Sequence, residues 1–283
     1  MSEKTFDTLV LSGESADGII TLGALQYLHD HHMLDNIHTY IGTSSGTMCN
    51  YLLAIGYSPI EILIYLESNN VFENIQQLDF IQFIKGNGCI QFNKIIKHLE
   101  ILSNNKIHKV PTLLELWKEH KKKLIVTTYN LSLQKIEYID YTSHPDLLCV
   151  KAIQMSSSIP IIFNNCIYNN HLYTDGGVVN NFPINKIASS STALGICVVT
   201  ESKSNEQYMY VNIFHKLLHI LSNLIQTNTE LRLQNIEDKH KIIKLTKNNS
   251  NISFFIKNKY NKLASFSNGY NKCKSHIVNN NLL

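Results

Sequence analysis

Two residues of this chain have the types and settings needed to break an ester bond. They are Ser44, within Gly42-Thr43-Ser44-Ser45-Gly46, and Asp175, which opens Asp175-Gly176-Gly177. A serine hydroxyl is a weak nucleophile until a base takes its proton. The apolar run Ile37 to Ile41 precedes the serine pentapeptide, and a helix-like stretch, Thr47 to Ile55, follows it. Strand, sharp turn and helix are the setting in which G-x-S-x-G acts as a nucleophile elbow. Gly42 and Gly46 are expected where a side chain would collide with the strand or the helix. The turn should lift the Ser44 hydroxyl out of the backbone and aim unpaired helix N–H groups at whatever the serine attacks. Gly176 and Gly177 would let the aspartate loop approach closely. A carboxylate shielded from water would then serve as general base with no imidazole between. The alternative is a Ser-His-Asp relay, with His215, His219 or His240 as the histidine.

Elements able to position these groups are visible in the apolar patterning. Thr8 to Gly13 reads as a buried strand ending at a turn, and Ile19 to His29 as a helix. Ser58-Pro59-x-Glu61 is a helix start, with a serine cap, proline in the first turn and an acid after it. Residues 69 to 91 read as irregular. Asn93 to Leu102 and Thr112 to Lys118 read as short helices, Lys123 to Tyr129 and Gln134 to Tyr141 as paired strands, and Pro145 to Met155 as a helix. Leu194 to Thr200 is an unbroken apolar run, which predicts an interior parallel strand. Tyr208 to Asp238 is the longest helical candidate. Ile242 to Leu245 and Ile252 to Ile256 are strand candidates, and Lys259 to His276 is a final helix. Strands alternating with helices predict an α/β sandwich with a mostly parallel sheet.

With 44% hydrophobic and 17% charged residues, the chain of 283 residues can bury a real core, which excludes a disordered protein. A net charge of +3 falls short of a nucleic-acid footprint, so no nucleic-acid partner is expected. Arg232 is the sole arginine, so bidentate guanidinium clamps on phosphate are almost unavailable. The six cysteines form no C-x-x-C pair and read as buried reduced thiols, not as disulfides or a zinc site. The N-terminus has no signal-peptide pattern and no apolar stretch is long enough to span a bilayer, which predicts a cytoplasmic protein with at most peripheral membrane contact.

Taken together, these motifs resemble the patatin-like phospholipases, lipid acyl hydrolases with a Ser-Asp dyad. The likeness rests on the strand before Gly13, on Gly42 to Gly46, on Ser156-Ser157-Ser158-Ile159-Pro160, and most of all on Asp175-Gly176-Gly177-Val178-Val179-Asn180-Asn181-Phe182-Pro183. Ile242 to Tyr270 is similar to the family's closing strand and helix. The resemblance implies Ser44 as nucleophile, Asp175 as general base, and backbone N–H groups of Gly13, Glu14 and Ser15 as the oxyanion hole. It implies a lipid substrate and no metal or organic cofactor. It also implies a three-layer α/β/α sandwich forming one domain over residues 1–283, with core motifs in 8–187 and a helical and strand extension in 201–283. One loop departs from the family. Where G-G-G-x-[K/R]-G is usual, the chain reads Gly13-Glu14-Ser15-Ala16-Asp17-Gly18. Glu14 reads as an acid facing solvent, and Asp17 as a helix cap. The divergence keeps a second function open, a lipid-binding or regulatory protein on the same fold with weakened or lost catalysis.

Overall fold

The apolar runs assemble into one eight-stranded sheet. The computed structural model describes residues 5–14, 18–72, 85, 88–200, 213–234, 236–237, 239–247 and 261–280. Its strands are β1 (Thr8–Leu11), β2 (Thr39–Thr43), β3 (Lys123–Asn130), β4 (Lys135–Ile139), β5 (Cys166–Tyr168), β6 (His171–Asp175), β7 (Ala193–Thr200) and β8 (Lys241–Lys247). Their order is β5-β6-β3-β2-β1-β7-β8, with β4 paired to β3. β3, β2, β1, β7 and β8 run parallel. β4 and β6 pair antiparallel to β3, and β5 pairs antiparallel to β6.

Alternate residues of the central strands feed two cores, as expected for a sheet covered on both faces. Leu9, Leu11, Tyr40, Leu194, Ile196 and Ile243 join the larger one. Val10, Ile41, Ala193 and Cys197 point the other way, against Phe182, Ile184 and Leu233. The larger core is roofed by α1 (Gly18–Asp30), α2 (Ser45–Ala54), α3 (Pro59–Ser68) and α4 (Asn93–Ile107). Further along lie α5 (Leu113–His120), α6 (Cys149–Ser157), the short α7 (Gly177–Asn180), α8 (Ile213–Arg232) and α9 (Lys262–Asn279). The α3 start carries the expected capping box: Ser58 Oγ accepts from the Glu61 N–H, and Glu61 accepts from the Ser58 N–H.

α9 returns to pack on α1. A Cβ on Gly269 would overlap the Ile20 carbonyl, and one on Gly23 the Phe266 carbonyl, so the axes cross at glycine distance. All six cysteines are buried and none forms a disulfide. Burial pushes the thiols of Cys49, Cys149, Cys166, Cys197 and Cys273 up, Cys49 to about 12, so they behave as small apolar side chains.

Several boundaries differ from the sequence reading. α4 continues past Leu102 to Ile107, and α6 starts at Cys149, not at Pro145. The residues from Tyr208 to Asn212 and the candidate strand Ile252 to Ile256 lie outside the described residues, as do Ser15, Ala16 and Asp17.

Candidate active site

Ser44 occupies the single residue between β2 and α2. Its φ of 52° and ψ of −125° are a conformation that L residues avoid, so the turn holds the serine under backbone strain. The surroundings impose that strain. The Ser44 carbonyl accepts from the N–H groups of Thr47 (2.9 Å) and Met48 (3.3 Å), starting the helix. The Ser44 N–H donates to Ser156 Oγ at 2.8 Å, and that hydroxyl donates to the Thr127 carbonyl at 2.6 Å. Asn50 Nδ2 donates to the Ile41 carbonyl at 2.9 Å, closing the turn behind the serine. Gly46 lies against the end of β1. A Cβ there would sit 2.7 Å from the Leu11 carbonyl and overlap that of Ser12, so only hydrogen fits. Gly42 is similarly closed in by Asn50 and Thr47.

Asp175 is the last residue of β6, and sheet register brings it near the elbow. Thr43 pairs with Thr127, and Thr128 pairs with Asp175, so Ser44 and Asp175 flank the same point on β3. The serine triplet fixes the distance between them. The Asp175 N–H donates to the Ser158 carbonyl at 3.1 Å and the Gly176 N–H to the Ser156 carbonyl at 3.2 Å. Ser156 therefore holds the elbow through its side chain and the Asp-Gly-Gly turn through its backbone. Gly176 stacks on the Thr127 carbonyl too closely for a side chain.

The Asp175 carboxyl is buried. Oδ1 accepts from the Gly177 N–H at 2.6 Å, whereas Oδ2 has no hydrogen-bond partner among the described residues. Loss of water pushes its pKa up to about 6. The Ser44 hydroxyl beside it and the Gly177 N–H pull in the other direction without cancelling the rise.

No histidine bonds this carboxylate among the described residues. His240 Nδ1 accepts from the Ala193 N–H at 3.1 Å, at the start of β7 and so at the opposite end of the parallel strands from Ser44. His219, on α8, engages Asn223 at 3.1 Å. The side chain of His215 lies outside the described residues.

The loop after β1 differs from its reading as a solvent-facing acidic turn. Glu14 is buried: Ser12 Oγ donates to its Oε1 at 2.7 Å and Thr21 Oγ1 to its Oε2 at 2.5 Å. The two hydroxyls, one before the loop and one on α1, replace the water that a surface carboxylate would have. The Gly13 N–H donates to the Asn181 carbonyl at 3.2 Å, and the Glu14 N–H to Ser45 Oγ at 2.8 Å. The N–H of Ser45, first in α2, has no acceptor among the described residues.

Sequence reasoning quoted Asn180 and Asn181 without giving them a task. The Asn180 carbonyl accepts from Thr43 Oγ1 at 3.0 Å, bracing the elbow strand. Asn181 Nδ2 donates to the Gly13 carbonyl and to Thr229 Oγ1, each at 2.9 Å, tying the loop to α8. Ser44 and Ser45 also border an apolar cavity of about 160 Å³ between α1, α2, α3 and α4.

A family model described as patatin-like phospholipase matches residues 9–187. A protein of Invertebrate iridescent virus 6 named as a probable lipid hydrolase is 37% identical over 190 residues, 65% of this chain and 64% of that protein. An uncharacterized protein of Acanthamoeba polyphaga mimivirus is 30% identical over 188 residues, 65% of this chain and 62% of that one. The matches thus span less than two thirds of these curated relatives. Among solved structures, VipD from Legionella pneumophila is similar with a TM-score of 0.56 at 18% identity, over 97% of this chain and 67% of that one, a likeness of fold.

Proposed function

The chain belongs to the patatin-like phospholipase family, and we propose that it hydrolyses carboxylic ester bonds of lipids through a Ser44–Asp175 dyad. The observation that carries this reading is the Asp175 carboxyl. One oxygen is fixed by Gly177, the other is buried with no partner among the described residues, and the Ser44 hydroxyl lies beside the carboxyl. A carboxylate with pKa about 6 is ionised at neutral pH yet basic enough to draw a proton from an attacking hydroxyl.

In the proposed reaction Ser44 Oγ attacks the ester carbonyl while its proton passes to Asp175 Oδ2. The leaving alcohol takes that proton as the acyl-enzyme forms. Asp175 then deprotonates a water, which releases the fatty acid and restores Ser44. The oxyanion is held by the Ser45 N–H and by the loop Gly13, Glu14 and Ser15. Within that loop the Glu14 N–H is already directed at the elbow by Ser45 Oγ and turns from it to the substrate. Substrate reaches the site through peripheral contact with a lipid surface. No single helix among the described residues is long and apolar enough to cross a membrane. We read residues 1–283 as one domain, because β8 extends the sheet beside β7 and α9 closes on α1.

A second reading, lipid binding without turnover, draws on the loop: the Gly13 and Glu14 N–H groups already have protein acceptors. A fluorophosphonate probe separates the two. Labelling of the native protein that disappears in both Ser44→Ala and Asp175→Asn supports the hydrolase. A folded protein that stays unlabelled supports the binder.

A further inference from the structure

The cavity beside Ser44 is a partly open apolar sleeve that runs along α2. On α2, Ser45, Met48, Cys49 and Leu52 form one continuous stripe on its wall. Those seven steps along the helix advance about 10 Å from the nucleophile. α4 runs alongside in the same direction. At its start the Phe92 N–H donates to Asn164 Oδ1 at 2.8 Å, next to Phe163 of the lining. Its later turns lie by the end of α2, where Tyr51 and Ser103 hydroxyls meet at 2.7 Å and Tyr57 OH donates to the Leu102 carbonyl at 2.9 Å. α3 runs the opposite way, pairing Glu61 with Lys106 at 3.1 Å and Tyr65 with His98 at 2.9 Å. The deep end is therefore formed by Leu52, Ile62 and Leu102, all buried. Partway along, Tyr65 OH and His98 Nδ1 satisfy each other, so this polar pair does not interrupt the apolar lining.

Resting on the hydrolase reading, we infer that this sleeve receives the acyl chain of the ester and measures its length, favouring chains of about six to eight carbons over long-chain lipids. Two independent dimensions agree. A depth of about 10 Å admits a chain of that order. A volume of about 160 Å³ is close to the ~150 Å³ of an apolar protein cavity known to hold benzene. A longer chain must push aside Leu52, Ile62 or Leu102, which a close-packed wall resists, or leave its tail outside the sleeve.

The test is a series of p-nitrophenyl esters, butyrate, octanoate and palmitate, with the native protein. Octanoate is expected to exceed palmitate in kcat/KM by about tenfold or more. Leu102→Ala, which deepens the sleeve, should move the optimum toward palmitate. Met48→Phe, which fills it halfway, should move it toward butyrate and covers the case in which Leu102→Ala does not fold. Palmitate turned over as well as octanoate, or a profile that neither folded variant moves, overturns the inference.

Failure of the hydrolase reading is distinguishable, because binding is measured separately. In Ser44→Ala, displacement of a fluorescent fatty-acid probe should need no more octanoate than palmitate. A protein that hydrolyses no ester but shows this parity keeps the sleeve and loses the enzyme. Palmitate displacing the probe at far lower concentration overturns the sleeve whatever the activity.

Discussion

On one side of the nucleophile, at the β2–α2 turn, shape is set by backbone. Glycines sit where a Cβ would strike a carbonyl, and Ser44 is pressed into a positive φ by the helix that starts at its own carbonyl. On the other side, in the loop after β1, shape is set by side chains: a buried Glu14 gathers Ser12 and Thr21, and Asn181 clamps Gly13. The first design has little freedom and stores strain at the reacting atom. The second replaces glycine flexibility with hydrogen bonds that a single substitution removes. The contrast separates the two halves of the proposed chemistry, since the elbow concerns proton removal and the loop concerns the oxyanion.

The largest effects are expected at the elbow. Ser44→Ala should reduce ester turnover by about 10⁴-fold or more, because nucleophile loss leaves only binding and oxyanion stabilisation. Its circular dichroism should be unchanged. Asp175→Asn should come next, with a loss of about 10³-fold. The native kcat/KM should rise with pH through about 6 and then level, since the base must be ionised. An inflection near 7 that persists in Asp175→Asn would hand the base role to a histidine.

Asp175 also carries a stability consequence of definite sign. The folded carboxyl titrates near 6 against 3.8 for the free group, so between these values the folded state binds more protons. Stability from this group is present at acid pH and is lost as pH rises through about 6. A shift of about two units corresponds to about 3 kcal/mol. Asp175→Asn should therefore unfold at higher denaturant than native protein at slightly alkaline pH, with the difference closing toward pH 4. Equal midpoints across that range would show that burial of this carboxylate is not destabilising.

The loop should respond through stability first. Glu14→Gly restores the residue type usual in the family but leaves the Ser12 and Thr21 hydroxyls without their acceptor. It should cost about 2 kcal/mol in urea unfolding. If the variant is instead as stable as native protein, the carboxylate is not what shapes this loop. Ser156→Ala cuts the side-chain link between the serine triplet and the elbow and leaves the backbone bond to Gly176 in place. An expected loss of about 1–2 kcal/mol, with kcat falling and KM held, would mark it as a positioning residue.

How far these roles were legible in the sequence depends on the span of the bonds involved. Thr8 to Gly13, Leu194 to Thr200 and the Ser58–Glu61 helix start were readable because their signals are local: an apolar run or a cap three residues away. The β5–β6 hairpin is not among the strands expected from sequence. Its signal was the pair Asn169-Asn170, which adopts φ of 47° and 62° in a two-residue turn. Helix α4 runs past the expected end at Leu102 to Ile107, with Leu99, Leu102 and Ser103 buried along it. The Ser156 bridge spans 112 residues of chain, and no periodicity encodes it. The burial of Glu14 was misread for a related reason: one of its hydroxyl partners, Thr21, reaches it only once α1 packs beside the loop.

The smallest and most discriminating change is Ser45→Ala. The Ser45 hydroxyl accepts from the Glu14 N–H, so in the proposed reaction that N–H must leave it for the oxyanion. Removing the hydroxyl spares the exchange, and a neutral hydrogen bond of this kind contributes about 1 kcal/mol net. The expected result is a rise in kcat of up to about fivefold with KM nearly unchanged, alongside a small loss of stability. A fall in kcat would instead mean that Ser45 Oγ holds the loop in its working position. In that case the two regions flanking Ser44 act as one unit, and the division between backbone-built elbow and side-chain-built loop no longer describes how the site is organised.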